Sequence, residues 1–387
     1  MFSKIEQLFD NLFMKVHPVP PGIFYYQSPE GAPNQYKWHL RIESDGSGLM
    51  VINASTVLHL NQTAAEYAYY LAEGKNKPEI AKLISDRYDI DILQAEQDLE
   101  DFTSRIIQLV NSEDLDPVTF LDMERVAPHS RKLSAPLRID CALTYAVSPG
   151  IESAAAPNER VTKELTTEEW KRVLEIIWKA GVPHVVFTGG EPTLRPDLPD
   201  LIRETERIGL VSGLLTDGIK LGDEDYLKSI LNAGLDHIML LADDSSSAFW
   251  KALNLLMPED IAVTVHVTVT QKNKQTISEF LQKLSDAGVT SISLSAESET
   301  LAPQLASAGQ NTASLGMHLV WDLPVPYSSC NPFALEQQKT GDKRFEEGAG
   351  KVWLYIEPDG DVLPAQGIDI VKGNILVDSW QKIWSRR

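Results

Sequence analysis

Short apolar segments alternate with amphipathic segments of helical spacing over residues 137–321, and this alternation constrains the fold more than any other feature. Short turns between alternating strands and helices require parallel strands with right-handed crossovers. The pattern therefore predicts a full or partial α/β barrel, with ligands at the carboxyl ends of the strands. Strands are predicted at residues 137–143, 184–188, 211–216, 237–241, 262–270, 291–294 and 316–321. Helices are predicted at residues 166–181, 198–208, 224–233, 246–256 and 277–287.

Residues 22–112 carry a different pattern, in which three short strands precede three short helices. The strands are predicted at residues 24–27, 36–42 and 48–53, with the last of them at the free edge of the sheet. The helices are predicted to begin at a capping box from Thr63 to Glu66, at Pro78 and after Asp91. This order predicts a winged-helix-like module.

The segment VLHLNQTAAE at residues 57–66, together with residues 80–92, resembles the PqqD-like peptide-binding domains, also called RiPP recognition elements. The resemblance implies that residues 22–112 bind a peptide or partner protein, with a leader peptide adding a strand to the small sheet. Two alternatives stay open from the residues alone. One is a winged-helix DNA binder, and the other is a module that only packs on its own neighbour.

Charge and cysteine content exclude several classes of function. Acidic residues outnumber basic ones by 55 to 35, giving a formal net charge of −20. Such a surface repels phosphate backbones and anionic lipid, so we expect no nucleic-acid partner. The only cysteines are Cys141 and Cys330. Two thiols are too few for a disulfide framework, a four-cysteine zinc site or a cysteine-ligated [4Fe–4S] cluster, which needs at least three thiolates.

The first residues predict a docking helix and no membrane span. Residues 1–21 place apolar side chains at helical spacing among charged ones, which predicts an amphipathic helix rather than a signal peptide. No segment reaches the roughly 18 apolar residues of a spanning helix. We therefore expect a cytoplasmic protein without a membrane partner. Residues 113–135, rich in aspartate and proline, are predicted to form a linker.

The sharpest motif is the string FTGGEPTL at residues 187–194, where a predicted strand meets the following helix. Two glycines allow the backbone to approach a ligand closely, and exposed amides with one carboxylate can hold an ammonium group. Asp217 ends the next predicted strand, so it should lie at the same edge of the sheet. The candidate ligand-binding residues are Thr188, Gly189, Gly190, Glu191, Pro192 and Asp217.

Residues 136–322 resemble the radical S-adenosylmethionine (radical SAM) superfamily. The resemblance rests on Leu143–Tyr145, the GGEP motif, residues 215–218 (LTDG) and residues 233–236 (AGLD). It implies a partial barrel that binds S-adenosylmethionine, with the six residues named above as cofactor ligands. It also implies a [4Fe–4S] cluster held by a C-x-x-x-C-x-x-C loop after the first strand.

The chain departs from the family at that loop. The three ligand positions fall on Val147, Ile151 and Ala154, none of which can bind iron. We therefore expect no iron–sulfur cluster. The sequence leaves open whether S-adenosylmethionine still binds. The alternative is a purely structural role, in which the glycines serve strand-to-helix packing and Glu191 pairs with a neighbouring residue. A replacement site from His266, His318 and Asp322 lacks any close ligand spacing, so no metal site is predicted.

Residues 323–387 resemble the SPASM-type extension that often follows a radical SAM barrel. The resemblance rests on residues 354–364, which predict a hairpin around Pro358-Asp359-Gly360, and on residues 373–384. In that family a cysteine after the hairpin proline binds an auxiliary cluster, and here the position is Ala365. We therefore expect residues 323–387 to adopt the fold of this extension without binding its metal cluster.

The predicted protein is thus an α/β chain with three parts: a PqqD-like module, a partial (β/α) barrel of the radical SAM type and a SPASM-like extension. The preferred function is binding of a peptide or partner protein in a peptide-modification pathway, without radical chemistry. One alternative is an enzyme that uses the barrel cleft for non-radical chemistry. Another is a radical peptide-maturing enzyme whose cysteines were removed by engineering. The sequence assigns no catalytic residue.

Overall fold

The structure is a computed structural model that describes residues 19–29, 36–53, 56–111, 133–149, 161–320, 348–366, 368 and 370–385. The chain divides into two compact units, residues 1–134 and 135–387. Most of the predicted N-terminal helix and most of the predicted linker lie outside the described residues. Among the described helices, none has both the length and the apolar composition needed to cross a bilayer.

In the part that the structure describes, the first unit is a four-stranded antiparallel meander followed by three helices. The strands run in the order β1 (Gly22–Gln27), β2 (Lys37–Ile42), β3 (Gly48–Ile52) and β4 (Thr56–Leu60). The helices are α1 (Gln62–Ala72), α2 (Lys77–Tyr88) and α3 (Ile92–Asn111). The sequence prediction missed β4, and it was therefore wrong to place residues 48–53 at the edge. β3 pairs with β2 on one side and with β4 on the other.

The start of α1 also differs from the prediction. Its N-cap is Asn61, whose side-chain oxygen accepts from the Ala64 N–H at 2.9 Å, rather than Thr63. Glu66, the expected capping partner, is buried and pairs with Arg87 at 2.9 Å. A buried carboxylate needs a charged or hydrogen-bonding partner, and α2 supplies one that local sequence does not show. The predicted starts of the other two helices are confirmed by Pro78 in the first turn of α2 and by Asp91, which accepts from Leu93 N–H.

The second unit is built on a ten-stranded open sheet, the partial barrel that the alternation predicts. The strand order is β11-β10-β9-β8-β7-β6-β5-β12-β13-β14, parallel from β11 to β12 and antiparallel from β12 to β14. The strands are β5 (Arg138–Thr144), β6 (His184–Gly189), β7 (Val211–Thr216), β8 (His237–Leu241), β9 (Ala262–Val269), β10 (Ser291–Ala296), β11 (His318–Leu319), β12 (Trp353–Ile356), β13 (Asp361–Leu363) and β14 (Gly373–Asn374).

Within the described residues, seven helices accompany this sheet: α4 (Thr167–Lys179), α5 (Leu198–Ile208), α6 (Glu224–Leu231), α7 (Ser247–Leu256), α8 (Ile277–Asp286), α9 (Ala302–Ser314) and α10 (Trp380–Ser385). The predicted start of α4 is confirmed, because Thr166 and Glu169 form a reciprocal capping box. The prediction missed α9, whose sequence is broken by Gly309 and buries few side chains. The predicted hairpin is confirmed, and Gly360 takes a φ of 90° in its turn.

The two faces of the large sheet differ in chemistry. One face contributes Ile139, Phe187, Leu214 and Val265 to a continuous apolar core with the helices. Because side chains alternate along a strand, the opposite face carries Val186, Leu215 and Met239 in its middle. Farther along, that face turns polar around His266, whose two ring nitrogens contact the hydroxyls of Ser293 and Ser295 at 3.0 and 2.9 Å.

The burial of His266 predicts a specific acid sensitivity. Burial lowers the pKa of His266 to about 3, whereas an unfolded histidine takes up a proton near pH 6.5. The stability that the neutral imidazole provides is therefore complete above pH 6.5 and is lost as the pH falls towards 3. Between pH 7 and pH 5 the free energy of unfolding should fall by about 2 kcal/mol from this group alone.

Urea unfolding of the wild type and of His266→Gln at both pH values measures this contribution. The wild type should lose more stability than the variant on acidification. His318→Gln, at an exposed position of β11, is the control and should follow the wild type. Equal losses in the wild type and His266→Gln would contradict the prediction.

Candidate functional site

The turn after β6 lies against the end of β5 with no room for side chains between them. The N–H of Gly190 donates to the Thr144 carbonyl at 2.7 Å, and the N–H of Glu191 donates to the Ala146 carbonyl at 2.7 Å. A Cβ on Gly189 would lie 2.2 Å from the Thr144 oxygen, and one on Gly190 would lie 2.0 Å from the Ala146 oxygen. Gly189 also has a φ of 119°, which side chains disfavour. Both glycines are therefore required by this backbone-to-backbone contact.

The Glu191 carboxylate ties the same turn to the end of β7. One carboxylate oxygen accepts from the Thr193 N–H at 2.9 Å, the Thr193 hydroxyl at 2.5 Å and the Thr216 hydroxyl at 2.8 Å. The other accepts from the Asp217 N–H at 2.8 Å. Burial and the nearby Asp217 carboxylate raise the pKa of Glu191 to about 7, against the opposing effect of these hydrogen bonds. Glu191 thus acts here as a cross-link between strand ends.

The structure brings together all six residues that the sequence selected. Pro192 begins a short 3₁₀ helix directly after Glu191, and Asp217 is half-buried after β7. Thr188 stands opposite Ala142 of β5 and is 1% exposed. Its hydroxyl has no hydrogen-bond partner among the described residues. A buried hydroxyl without a partner is costly, so Thr188 marks a position where a ligand atom could be accepted.

The loop after β5 does not offer the donor set of an iron–sulfur cluster. Val147, the first family ligand position, is half-buried and apolar. Ile151, Ala154 and Cys330 lie outside the described residues, and neither isoleucine nor alanine has a donor side chain. Cys141 is fully buried in the helix-facing core with Ile139 and Leu143, and burial raises the pKa of its thiol. The described residues therefore do not fit a [4Fe–4S] cluster.

The alternative metal ligands are not brought together either. His266 on β9 and His318 on β11 are separated by β10, and Asp322 lies outside the described residues. Within the described part of the chain, a group of acidic side chains meets at the C-terminal hairpin: Glu357, Asp359 and Asp361 have carboxylate oxygens within 4.8 Å of one another. Glu357 is fully buried and already accepts from the Tyr145 hydroxyl at 2.9 Å.

Sequence reasoning missed the residues that brace the site from outside. Arg195 donates to the Leu143 and Leu165 carbonyls at 3.2 and 3.0 Å and pairs with Asp197 at 2.7 Å. Glu164 accepts from the Thr144 hydroxyl at 2.6 Å. These groups border a cleft of about 510 Å³ beside the end of β5. The string Arg195-Pro196-Asp197, directly after the glycine motif, was the signal that could have pointed to them.

Comparison with known proteins shows which proteins part of this chain is similar to. Residues 141–265 match the model of the radical SAM superfamily. The PqqA peptide cyclase of Rhodopseudomonas palustris is 27% identical over 241 residues, which are 56% of this chain and 62% of that protein. The PqqA peptide cyclase of Gluconobacter oxydans is 28% identical over 237 residues, which are 55% of this chain and 64% of that protein. The chain thus spans less than two thirds of the length of these curated relatives.

Solved structures show a similar fold. The structure of Streptococcus suis SuiB bound to its precursor peptide SuiA matches with a TM-score of 0.58 and 16% identity, covering 89% of this chain and 86% of that chain. SuiB bound to S-adenosylmethionine matches with a TM-score of 0.57 and 15% identity, covering 93% and 88%. At this identity the likeness shows the fold alone.

The contact between the turn after β6 and the end of β5 predicts that substitution by alanine costs much more stability at one glycine than at another. Gly190→Ala places a methyl group against the Ala146 carbonyl, so the turns must separate, which should cost about 2–3 kcal/mol of stability. Gly222→Ala is the matched control, because its Cβ meets only Lys251 at an ordinary 3.5 Å. Chemical denaturation of both variants measures the difference. Equal stability of the two would contradict the role given to Gly190.

Proposed function

We propose that this chain, whose residues 141–265 match the model of the radical SAM superfamily, binds a peptide in a peptide-modification pathway without holding a [4Fe–4S] cluster. The observation that carries the proposal is the chemistry of the family's ligand positions: Val147 stands at the first of them, and the Cys141 thiol faces the helix-side core. Without thiolates the fold keeps its strand-end cleft but has no means of placing iron there. Radical chemistry is therefore not part of the proposal.

The names of the similar proteins support a peptide as the partner. The curated relatives are peptide cyclases, and SuiB was solved with a precursor peptide. We assign the peptide to residues 22–112, as a PqqD-like module. A small antiparallel sheet with two outer strands is suited to this task, because an extended peptide can add to an outer strand through backbone hydrogen bonds.

The remaining domain assignments follow the same reasoning. Residues 1–21 would form an amphipathic helix, residues 113–135 a linker and residues 136–322 the partial barrel. Residues 323–387 would form a SPASM-like extension without metal, since Ala365 follows the hairpin proline where that family has a cysteine. In the structure the described strands of this extension continue the large sheet through the pairing of β12 with β5.

The Thr188 hydroxyl, which has no hydrogen-bond partner among the described residues, favours a second candidate, an enzyme that binds S-adenosylmethionine for non-radical chemistry. The candidate ligands are Thr188, the backbone of Gly189, Gly190 and Pro192, and the carboxylates of Glu191 and Asp217. When bound, S-adenosylmethionine supplies an electrophilic sulfonium carbon. Thr188 would donate or accept one hydrogen bond to it, and Asp217 would attract its positive charge. Glu191 could contribute only by giving up one of its present four donors.

Iron and sulfide analysis tests the absence of the cluster. After anaerobic reconstitution, the protein should bind no labile sulfide in stoichiometric amount and should stay colourless. The positive control is the triple variant Val147→Cys, Ile151→Cys, Ala154→Cys, which restores the C-x-x-x-C-x-x-C spacing and should gain iron and sulfide. About four irons and four sulfides per wild-type chain would falsify the proposal.

Calorimetry with S-adenosylmethionine tests the second candidate. If the Thr188 hydroxyl meets the ligand, Thr188→Val should weaken binding about tenfold, since one buried hydrogen bond is lost. Thr290→Val, at an exposed position before β10, should leave the affinity unchanged. Absence of binding heat in the wild type at millimolar ligand would discard this candidate and leave the peptide-binding proposal standing.

A further inference from the structure

Two histidine side chains meet at the amino-terminal edge of the large sheet. His184 begins β6 and His237 begins β8, and their Nε2 atoms lie 2.8 Å apart. The ring centroids are 5.0 Å apart, with an angle of 61° between the ring planes. Their chain neighbours Val185 and Ile238 belong to the helix-facing core, so the alternation of side chains places both rings on the opposite face. Two ring nitrogens thus converge on one point there.

The strand between the two histidines is shaped for this meeting. β7 separates β6 from β8, and Gly213 of β7 is paired with His237. A Cβ on Gly213 would lie 2.1 Å from Cε1 and 2.3 Å from Nε2 of the His237 ring. A glycine inside a strand weakens the strand, and such a glycine often marks the close approach of another group. Gly213 therefore lets the His237 ring cross β7 and reach His184.

The histidine pair is separate from the site at the carboxyl ends of the strands. On the same face of the sheet, the next layer of side chains is apolar and contains Val186, Leu215 and Met239. Thr188 lies beyond that layer, four residues along β6 from His184. Four residues of a parallel strand span about 13 Å. The pair therefore lies at the other end of the strands from the cleft discussed above, and its role is independent of the proposed function.

The present contact needs one proton between the two nitrogens. A neutral imidazole has one N–H and one lone pair, so one ring donates its Nε2 proton to the Nε2 lone pair of the other. Removal of this proton leaves two lone pairs that point to the same place. A tetrahedral Zn²⁺ with ordinary Zn–N bonds holds two nitrogens about 3.3 Å apart. From the present 2.8 Å, the rings need to separate by about 0.5 Å to admit the ion.

The charged groups beside the pair do not oppose a cation. Arg138 of β5 stands opposite His184 in the register. Its guanidinium pairs with the buried Asp140 carboxylate at 2.8 Å and lies over the Trp353 ring of β12, on the side of β5 away from β6. This ion pair adds no net charge near the histidines. In a chain of net charge −20, the overall field also attracts cations.

We propose that His184 and His237 bind one first-row transition-metal ion, such as Zn²⁺ or Cu²⁺, through their Nε2 atoms. Imidazole nitrogens suit these ions, and the shared proton leaves to solvent when the ion binds. In the part of the chain that the structure describes, no third histidine, cysteine or carboxylate donor lies within 4.8 Å of both ring nitrogens, so water completes the coordination. The bound ion would tie β6 to β8 across β7.

Electron paramagnetic resonance of the full chain with one equivalent of Cu²⁺ tests this assignment. Cu²⁺ is the probe because it binds most tightly in the first-row series. The wild type should show hyperfine splitting from two ring nitrogens. His184→Gln and His237→Gln should lose that pattern and weaken Cu²⁺ binding about tenfold or more, since even changes around metal ligands cost about 10–100-fold. His318→Gln, at an exposed position of β11, is the control and should match the wild type.

Gly213→Ala tests the geometry while both ligands are kept. Its methyl group takes the space of the His237 ring, so Cu²⁺ binding should weaken about tenfold although no ligand is removed. Circular dichroism checks that this variant folds, and the histidine variants decide the matter if it does not.

A thermal shift with Zn²⁺ gives a second, copper-independent readout. An ion that binds the folded chain and not the unfolded one raises the melting temperature. Zn²⁺ should therefore raise the melting temperature of the wild type and of His318→Gln, and this rise should be lost in His184→Gln and His237→Gln.

Two outcomes would overturn the proposal. If the wild type and His184→Gln give the same copper spectrum and the same affinity, the copper is bound by other side chains. If neither Cu²⁺ nor Zn²⁺ binds the wild type below about 1 mM, the two histidines form a hydrogen-bonded pair and no metal site. Neither outcome bears on peptide binding, so the proposed function is tested separately.

Discussion

The close approach between the turn after β6 and the end of β5 is the contact on which the rest of the barrel site depends. Gly190 and Glu191 donate their N–H groups to the carbonyls of Thr144 and Ala146 at the end of β5, at 2.7 Å each, and the space between the two segments admits no Cβ. The Glu191 carboxylate then ties in the end of β7 through Thr216 and Asp217. Three strand ends are thus joined by groups that belong to the protein itself.

Among the described residues, backbone and side-chain groups of the protein make these contacts between the strand ends. The groups that hold the strand ends are backbone amides, glycines and one carboxylate, whereas Val147 lies in the loop that follows Ala146. The base of that loop is held again on its other side, because the Tyr145 hydroxyl donates to the buried Glu357 of the C-terminal hairpin.

The first unit has an apolar core of its own, formed by its small sheet and its helices. Trp38, Leu40 and Met50 share this core with Ile80, Ile84 and Leu99 of the helices. The Phe24 and Tyr26 side chains of β1 are only half-buried beside it.

The sequence by itself determined whatever depends on residues within one or two turns of each other. The alternation of strands and helices, the Thr166–Glu169 capping box and the Pro358-Asp359-Gly360 hairpin were all predicted and are all present, because periodicity and caps act locally. The six clustered residues around Gly190 were also predicted, since parallel strands end at one edge. Only the tertiary structure decided which strand is outermost in the first unit, that Asn61 rather than Thr63 caps α1, and that Glu191 is engaged by four donors. Each of these depends on a partner distant in sequence or on competition between nearby donors, and neither is visible in a residue pattern.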